Sequence, residues 1–297
     1  MKTLFALIKR NIKLFFRDKA MFLTSLITPV ILLVLYAAFL GDVYRESILL
    51  GLPSGLEFSE SLIDGLVGGQ LVSSILAVSC VTVAFCSNFI MVQDKANGTA
   101  RDFAVSSVKL SLLSLSYYVS SLACTLIICF AAAALCLCYL AAVGFYMSLS
   151  DVLLLSCDVV LLVLFGTALS SVVNFFLSTQ GQISAVGSMV SSCYGFISGA
   201  YMPISKLGSG LQAVISFLPG TYGTSLLRGH AMRGALAAMQ EEGLSAEAAR
   251  ELCNAMDINL YFFGNAVEPP AMYAVLAAAV ALLLAVYVLL NKFKRVR

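Results

Sequence analysis

Six runs of apolar residues decide what this chain can become. They are Ala20–Leu40, Leu66–Val92, Leu112–Val143, Val152–Phe176, Ile183–Tyr201 and Ala271–Leu290. A bilayer-spanning helix needs roughly 20 mostly apolar residues, and each run supplies them. In hydrocarbon the backbone must satisfy its own hydrogen bonds, so such runs are helices unless they alternate like barrel strands. These do not alternate. The chain is 60% hydrophobic and 11% charged, against about 45–50% and about 25% in soluble domains. A single aqueous core cannot hide that much apolar surface. The reading is an all-α membrane protein, a single transmembrane domain over 1–297 with six transmembrane helices.

The first run follows Lys and Arg, as a signal peptide would, but it exceeds the roughly 7–15 apolar residues of such a leader. It is read as a retained helix with a kink at Pro29. Ahead of it, residues 1–19 form an amphipathic helix. At 100° per residue, Leu4, Phe5, Ile8, Ile12, Phe15 and Phe16 share one side, and Lys2, Lys9, Arg10, Lys13 and Arg17 fill the other. Such a helix lies in the membrane interface with its bases toward headgroups. It serves as an anchor for the first span or as a lever that moves with a cytoplasmic partner.

Lys and Arg set the orientation. With six spans the two termini share a side, and that side carries thirteen of the 18 basic residues. They lie in the N-terminal helix, at Lys95, Arg101 and Lys109, and in the tail from Lys292. Both termini and the polar island over 93–111 are therefore expected in the cytoplasm of a multi-pass plasma-membrane protein. The opposite segments, 41–65 and 202–270, hold most of the acids. The first reads as a turn-like loop through Gly51, Pro53 and Gly55. In the second, Pro203 stops the fifth helix, and Pro219, Gly220 and Gly223 interrupt the semi-apolar stretch over 204–230. That stretch suits a re-entrant or interfacial hairpin. Beyond it, 235–263 reads as a soluble outer cap with Ser245 capping a helix from Ala246 to about Met256.

Candidate chemistry is sparse. Eight of the nine Cys lie in the runs, where they act as small apolar residues. Cys136 and Cys138 point to different sides of a helix and make a poor metal pair. No metal site is expected. His230 is the only His, and no HExxH is present. Asp158 is the one acid well inside a run, with Asp151 two turns away on roughly the same face. An intramembrane acid is a functional candidate by default; a water-facing or helix-pairing role is favoured here. The fifth run has two rows of small residues, Gly187, Ser191, Gly195 and Gly199, and beside it Ser184, Ser188 and Ser192. Packing within the subunit and a pathway- or dimer-facing role both fit. The stretch "LVGGQ" at 66–70 imitates the LSGGQ signature of ATP-binding cassettes. It lacks the Ser and opens an apolar span, and the chain has no GxxxxGK[ST] loop. It is not expected to bind ATP.

Taken in order, four parts carry a resemblance: "FFRDKAMFLTSLITPVILLVLYAAFLG", "VQDKANGTARDFAVSSVKL", "GAYMPISKLGSGLQAVISFLPGTYGTSLLRG" and a last span before a basic tail. The chain resembles the type-2 family of ABC-transporter membrane subunits, the permeases of drug and polysaccharide exporters. The resemblance implies a subunit that dimerises with an identical or homologous permease and binds a cytoplasmic ATPase carrying ATP and Mg. No cofactor is then bound by this chain, no enzyme activity is its own, and nucleic acid is not a partner. It implies a coupling helix in the island, which assigns Gly98, Thr99, Arg101, Asp102 and Phe103 to ATPase docking. It also implies a pathway along the second and fifth spans, at Gln70, Ser74, Phe85, Asn88 and the Gly187, Ser191, Gly195, Gly199 face. The island departs from the pattern, with Gln93, Asp94 and Lys95 where the family is often Glu-rich, and Ser106-Ser107 with no Pro. The residues assigned to the pathway are small, weakly polar or apolar, which suits a hydrophobic or amphipathic substrate. Two alternatives stand beside this reading: an intramembrane enzyme using Asp158 or His230, and a non-transporting scaffold or immunity protein.

Overall fold

The computed structural model describes residues 2–36, 38, 41–52, 58–106 and 108–293. Pro53 and Gly55 of the expected turn, Leu40, Ser107 and the basic tail at Lys294, Arg295 and Arg297 lie outside these. Twelve α-helices, a single 3-10 turn (Ile204–Lys206) and one hairpin succeed one another among the described residues. They are α1 (Lys2–Arg17), α2 (Lys19–Leu35), α3 (Gly41–Gly51), α4 (Glu60–Ala96), α5 (Thr99–Val105) and α6 (Leu110–Val143). Then come α7 (Leu149–Phe176), α8 (Gln180–Ile197), α9 (Ser209–Ile215), α10 (Pro219–Glu241) and α11 (Ala246–Ala255). Strands β1 (Leu260–Phe262) and β2 (Asn265–Val267) precede α12 (Pro269–Phe293).

Four helices, α4, α6, α7 and α12, are each long and apolar enough to cross a membrane. α1 and α2 meet at 75° and make a fifth if taken as one bent span. Asp18 breaks them apart: its carboxylate accepts from the Met21 amide at 3.1 Å and caps α2. α8 is shorter, at 18 residues, and its Gln, Ser and Gly content lowers its apolarity.

α4 is the axle of the bundle. It packs against α2, α6, α7, α8 and α10, and its apolar length is almost wholly buried. Small residues let the neighbours come close. A Cβ at Gly166 would sit 2.8 Å from the Cys80 carbonyl oxygen, and one at Gly69 2.8 Å from the Ala231 carbonyl oxygen. Hydroxyls and amides fasten the seams. Ser87 Oγ meets Ser121 Oγ at 2.6 Å and Thr125 Oγ1 at 2.8 Å. Asn88 Nδ2 donates to Ser170 and Ser171 hydroxyls at 3.1 and 2.8 Å. Each such bond within a membrane contributes about 0.6 kcal/mol.

Two connections differ from the sequence reading. Between the first two spans α3 is a helix, and α4 begins at Glu60, capped by Ser59 Oγ on the Leu62 amide at 3.3 Å. Arg45 of α3 then pairs with Asp64 at 2.9 Å. The second difference is α10. Pro219 stands at the first helical position, where its missing N–H costs nothing, so it starts a helix instead of breaking one. Gly220 and Gly223 are contact points, against the Tyr194 hydroxyl and the Leu162 side chain. α10 therefore runs unbroken across the expected boundary at 235, packed on α4, α7 and α12. The helix expected after Ser245 is α11, with the Ser245 hydroxyl accepting from the Ala248 amide at 3.2 Å.

Candidate functional site

The island folds as a reversal and a short helix. α4 ends at Ala96, and Gly98 turns the chain with φ 81°, a left-handed conformation that favours glycine. Among the described residues no atom lies within 4 Å of a Cβ placed at Gly98, so backbone conformation selects the glycine. Its carbonyl accepts the Arg101 and Asp102 amides at 2.8 and 3.3 Å and opens α5. Ser106 Oγ closes the other end on the Phe103 carbonyl at 2.7 Å.

α5 has two sides. Phe103 is half-buried and packs on the core, whereas Arg101 and Asp102 are exposed. Val105 is an apolar residue that is 89% exposed. The aromatic that the resemblance assigns to docking therefore faces the protein, and Val105 with Arg101 and Asp102 makes the outward face.

A polar knot fixes this helix to the bundle. Arg10 of α1 forms a two-pronged ion pair with Asp94, Nη1 to Oδ2 at 2.6 Å and Nη2 to Oδ1 at 2.9 Å. Tyr117 of α6 donates to the same carboxylate at 2.6 Å. The Arg10 guanidinium lies 5.2 Å from the Phe103 ring centroid, in cation–π range. The Asp94 hydrogen bond raises the Arg10 pKa above its ordinary range, against the opposing effect of partial burial. One residue along, Lys95 Nζ donates to the carbonyls of Asn174, Phe175 and Leu177 at 2.9, 2.7 and 2.9 Å. These are carbonyls at the C-terminal end of α7, where a cation is favoured. Adjacent residues of α4 thus hold α1, α5, α6 and α7 together. The amphipathic helix contributes Leu7, Asn11 and Phe15 to this packing, a stripe at spacing four. The sequence reading misses it because Asn11 interrupts its apolar character. Phe5, which that reading places on the apolar side, is 70% exposed along the flank.

A second polar cluster lies at the opposite, acidic end. Arg228 of α10 is buried, at 1% side-chain exposure, and pairs with Asp257 at 3.3 Å. Its Nη2 donates to the Gly199 carbonyl at 2.5 Å and Ser74 Oγ at 3.4 Å, and Nη1 donates to the Met256 carbonyl at 3.2 Å. Asp257 also accepts the Ile204 and Ser205 amides at 2.5 and 3.4 Å. Burial pushes the Asp257 carboxyl up, while Arg228 and those amides pull it down. One guanidinium therefore joins α4, α10, the end of α8 and the turn after α11. A count of bases by segment puts Arg228 among the outer-loop charges; Ala231 beside it, whose carbonyl lies against Gly69, marks the close-packed helix.

Asp158 is buried and pairs helices instead of facing water. His230 Nδ1 lies 2.6 Å from one carboxylate oxygen, and the Tyr273 hydroxyl donates to the other at 2.5 Å. This ties α7 to α10 and α12. Asp151 caps α7 with Ser148 and pairs with Arg233. Among the described residues no Ser or Thr hydroxyl bonds His230 and no group of three His, Cys, Asp or Glu is arranged for a metal. We expect Asp158→Asn to lower the stability of the purified chain by about 2 kcal/mol, the usual worth of charge-assisted hydrogen bonds. The check is thermal unfolding in detergent. His230→Ala added to it should cost little more, because both remove one interaction; fully additive losses would contradict a shared link.

Gln70, Ser74, Phe85 and Asn88 are all buried within the chain. Asn88 is spent on α7, and Ser74 on Arg228. The glycine row of α8 also turns inward: Gly187 rests on Phe89 and Gly195 on Tyr201, and Gly199, at φ 72°, gives its carbonyl to Arg228. Ser191, half-buried, accepts the Tyr201 hydroxyl on its carbonyl at 3.3 Å. The neighbouring row, Ser184, Ser188 and Ser192, is exposed, together with Met189 and Phe196.

The comparisons agree with this architecture. The family model described as ABC-2 type transporter matches residues 2–231, from the amphipathic helix into α10. No curated protein matches the chain significantly.

Proposed function

The chain belongs to the ABC-2 type transporter family, and from that premise we propose that it is the membrane subunit of an ATP-driven exporter. It works as a dimer with an identical or homologous permease and draws its energy from a separate cytoplasmic ATPase that holds ATP and Mg. The end bearing Lys95, Arg101 and the N-terminal bases faces the cytoplasm. The observation that carries this reading is the exposed face of α5 on a helix whose other side is locked to the bundle. A docking knob must be rigid to transmit motion and apolar at its centre to bind. Gly98, Thr99, Arg101, Asp102 and Val105 dock, and Phe103 positions the helix from within.

The pathway runs along α8 between the two subunits. The exposed serine row gives a weakly polar wall, with Met189 and Phe196 adding apolar surface. Gln70, Ser74, Phe85 and Asn88 lie deeper in the bundle, and reaching them takes movement of α7 and α10 as well as α8, because α7 holds Asn88 and Arg228 of α10 holds Ser74. Such a wall suits a hydrophobic or amphipathic substrate.

Replacing Val105 with Asp is expected to weaken capture of an ABC-type ATPase roughly tenfold or more, as for loss of a central interface anchor. Co-purification in mild detergent measures it. The variant should fold normally, since Val105 touches little. Undiminished capture would overturn the assigned face, and no capture by the unaltered chain would overturn the exporter reading. Ser188→Trp should block transport without affecting capture, which a transport assay in vesicles would show.

A further inference from the structure

The hairpin before α12 carries an aromatic where folding least wants one. β1 and β2 pair antiparallel with Phe262 opposite Asn265, which leaves Phe263 and Gly264 as a two-residue turn. Both have positive φ, 47° and 83°. Turns of this kind favour Asn-Gly, because both central residues are left-handed. A bulky side chain at positive φ is an outlier. Burial does not compensate: Phe263 is 70% exposed.

Phe263 is not alone. Its ring stands edge-on to Phe262 at 4.8 Å and to Phe217 at 5.9 Å, and Phe217 meets Phe262 at 5.2 Å. Phe217, just beyond α9, is 62% exposed, and Leu211 and Val214 of α9 are exposed beside it in sequence. The two segments that build this patch, 207–227 and 258–267, contain no Asp, Glu, Lys or Arg. A face meant for water is not usually free of charge over such a length.

Its depth is fixed by the packing beneath it. Leu260 packs with Tyr222, Leu226 and Met272, the last in the first turn of α12. Only Glu268 separates β2 from the start of that membrane-crossing helix at Pro269. The patch therefore sits at the entry to α12, an apolar helix long enough to cross a membrane, on which Val275 and Leu282 are exposed. We propose that the Phe217–Phe262–Phe263 cluster inserts into the headgroup–acyl boundary of the leaflet at the acidic end of the bundle. The occupant is lipid, and the strained turn is what presents Phe263 to it. Aromatic rings are favoured at that depth. The cluster anchors the segments around α9 and the hairpin to the bilayer independently of what is transported.

The chain has no Trp, so an introduced one reports alone. Phe263→Trp is reconstituted as full chain in phosphatidylcholine vesicles, with or without acyl-brominated phosphatidylcholine. Blue-shifted emission and at least twofold quenching by the brominated lipid are expected. Ala246→Trp, exposed on α11, should stay unquenched as the control. Water-like emission from Phe263→Trp would overturn the proposal. So would blue-shifted emission that bromine does not quench, because a protein surface would then cover the ring. If the turn rejects the larger indole, Phe217→Trp supplies the same reading from the other segment, with the same outcomes deciding.

Discussion

Arg228→Met is expected to cost about 3–5 kcal/mol and to loosen the whole acidic end of the bundle. The side chain is 1% exposed, and its removal strands the Asp257 carboxylate, 5% exposed, without its cation. Breaking a buried pair from one side leaves an uncompensated charge, which is why the loss exceeds the worth of the pair. Three other acceptors lose their donor at the same time: the carbonyls of Gly199 and Met256 and the Ser74 hydroxyl. Unfolding in detergent should show the lower midpoint, and limited proteolysis should open new sites between Tyr201 and Glu268. Adding Asp257→Asn should restore part of the loss. Asn tolerates the φ of 54° at this position, brings no charge, and can still accept from the Ile204 amide. An unchanged midpoint in Arg228→Met would mean that the guanidinium is not the fastening we describe.

Asp94→Asn is expected to separate docking from transport. The variant keeps the outward face of α5, so ATPase capture should survive. It weakens the grip of α4 on Arg10, and with it the seat of Phe103. ATP-driven transport should fall on the order of tenfold, the usual size of an energetic coupling between two sites. Val105→Asp should do the reverse and lose capture first. Exchange of the two charges, Arg10→Asp with Asp94→Arg, should recover transport above either single change. Equal loss of capture in Asp94→Asn and Val105→Asp would show that the knot and the face are one site.

Local signals are legible in the sequence, and long-range ones are not. The apolar runs, the Ser245 cap and the polar break after the second run each depend on neighbours within a few residues, and each shows in the pattern. Pro219 misleads because its meaning depends on position: it breaks a helix interior but opens a helix at its first residue. Gly220 and Gly223 mislead for a related reason. They read as flexible, yet each marks a place where another side chain arrives, Tyr194 or Leu162. The roles of Arg10 and Arg228 depend on carboxylates 84 and 29 residues away. Charge counting assigns both a side but neither a partner. Asp158 stands out by its position alone, and only the fold supplies His230 and Tyr273.

The enclosure of α4 also sets a timetable for biogenesis. This helix is the first of the four long apolar ones to be made, yet its sheath includes α7, α8 and α10, all later in the chain. Until they arrive, Asn88 lacks the Ser170 and Ser171 hydroxyls of α7 to which it donates in the folded chain. α10 ends at Glu241, so at about 5–20 residues per second the exposure lasts on the order of ten seconds. A chain built this way needs a shelter for its central helix during synthesis, and variants that slow elongation before α10 should be degraded more than their folded stability explains.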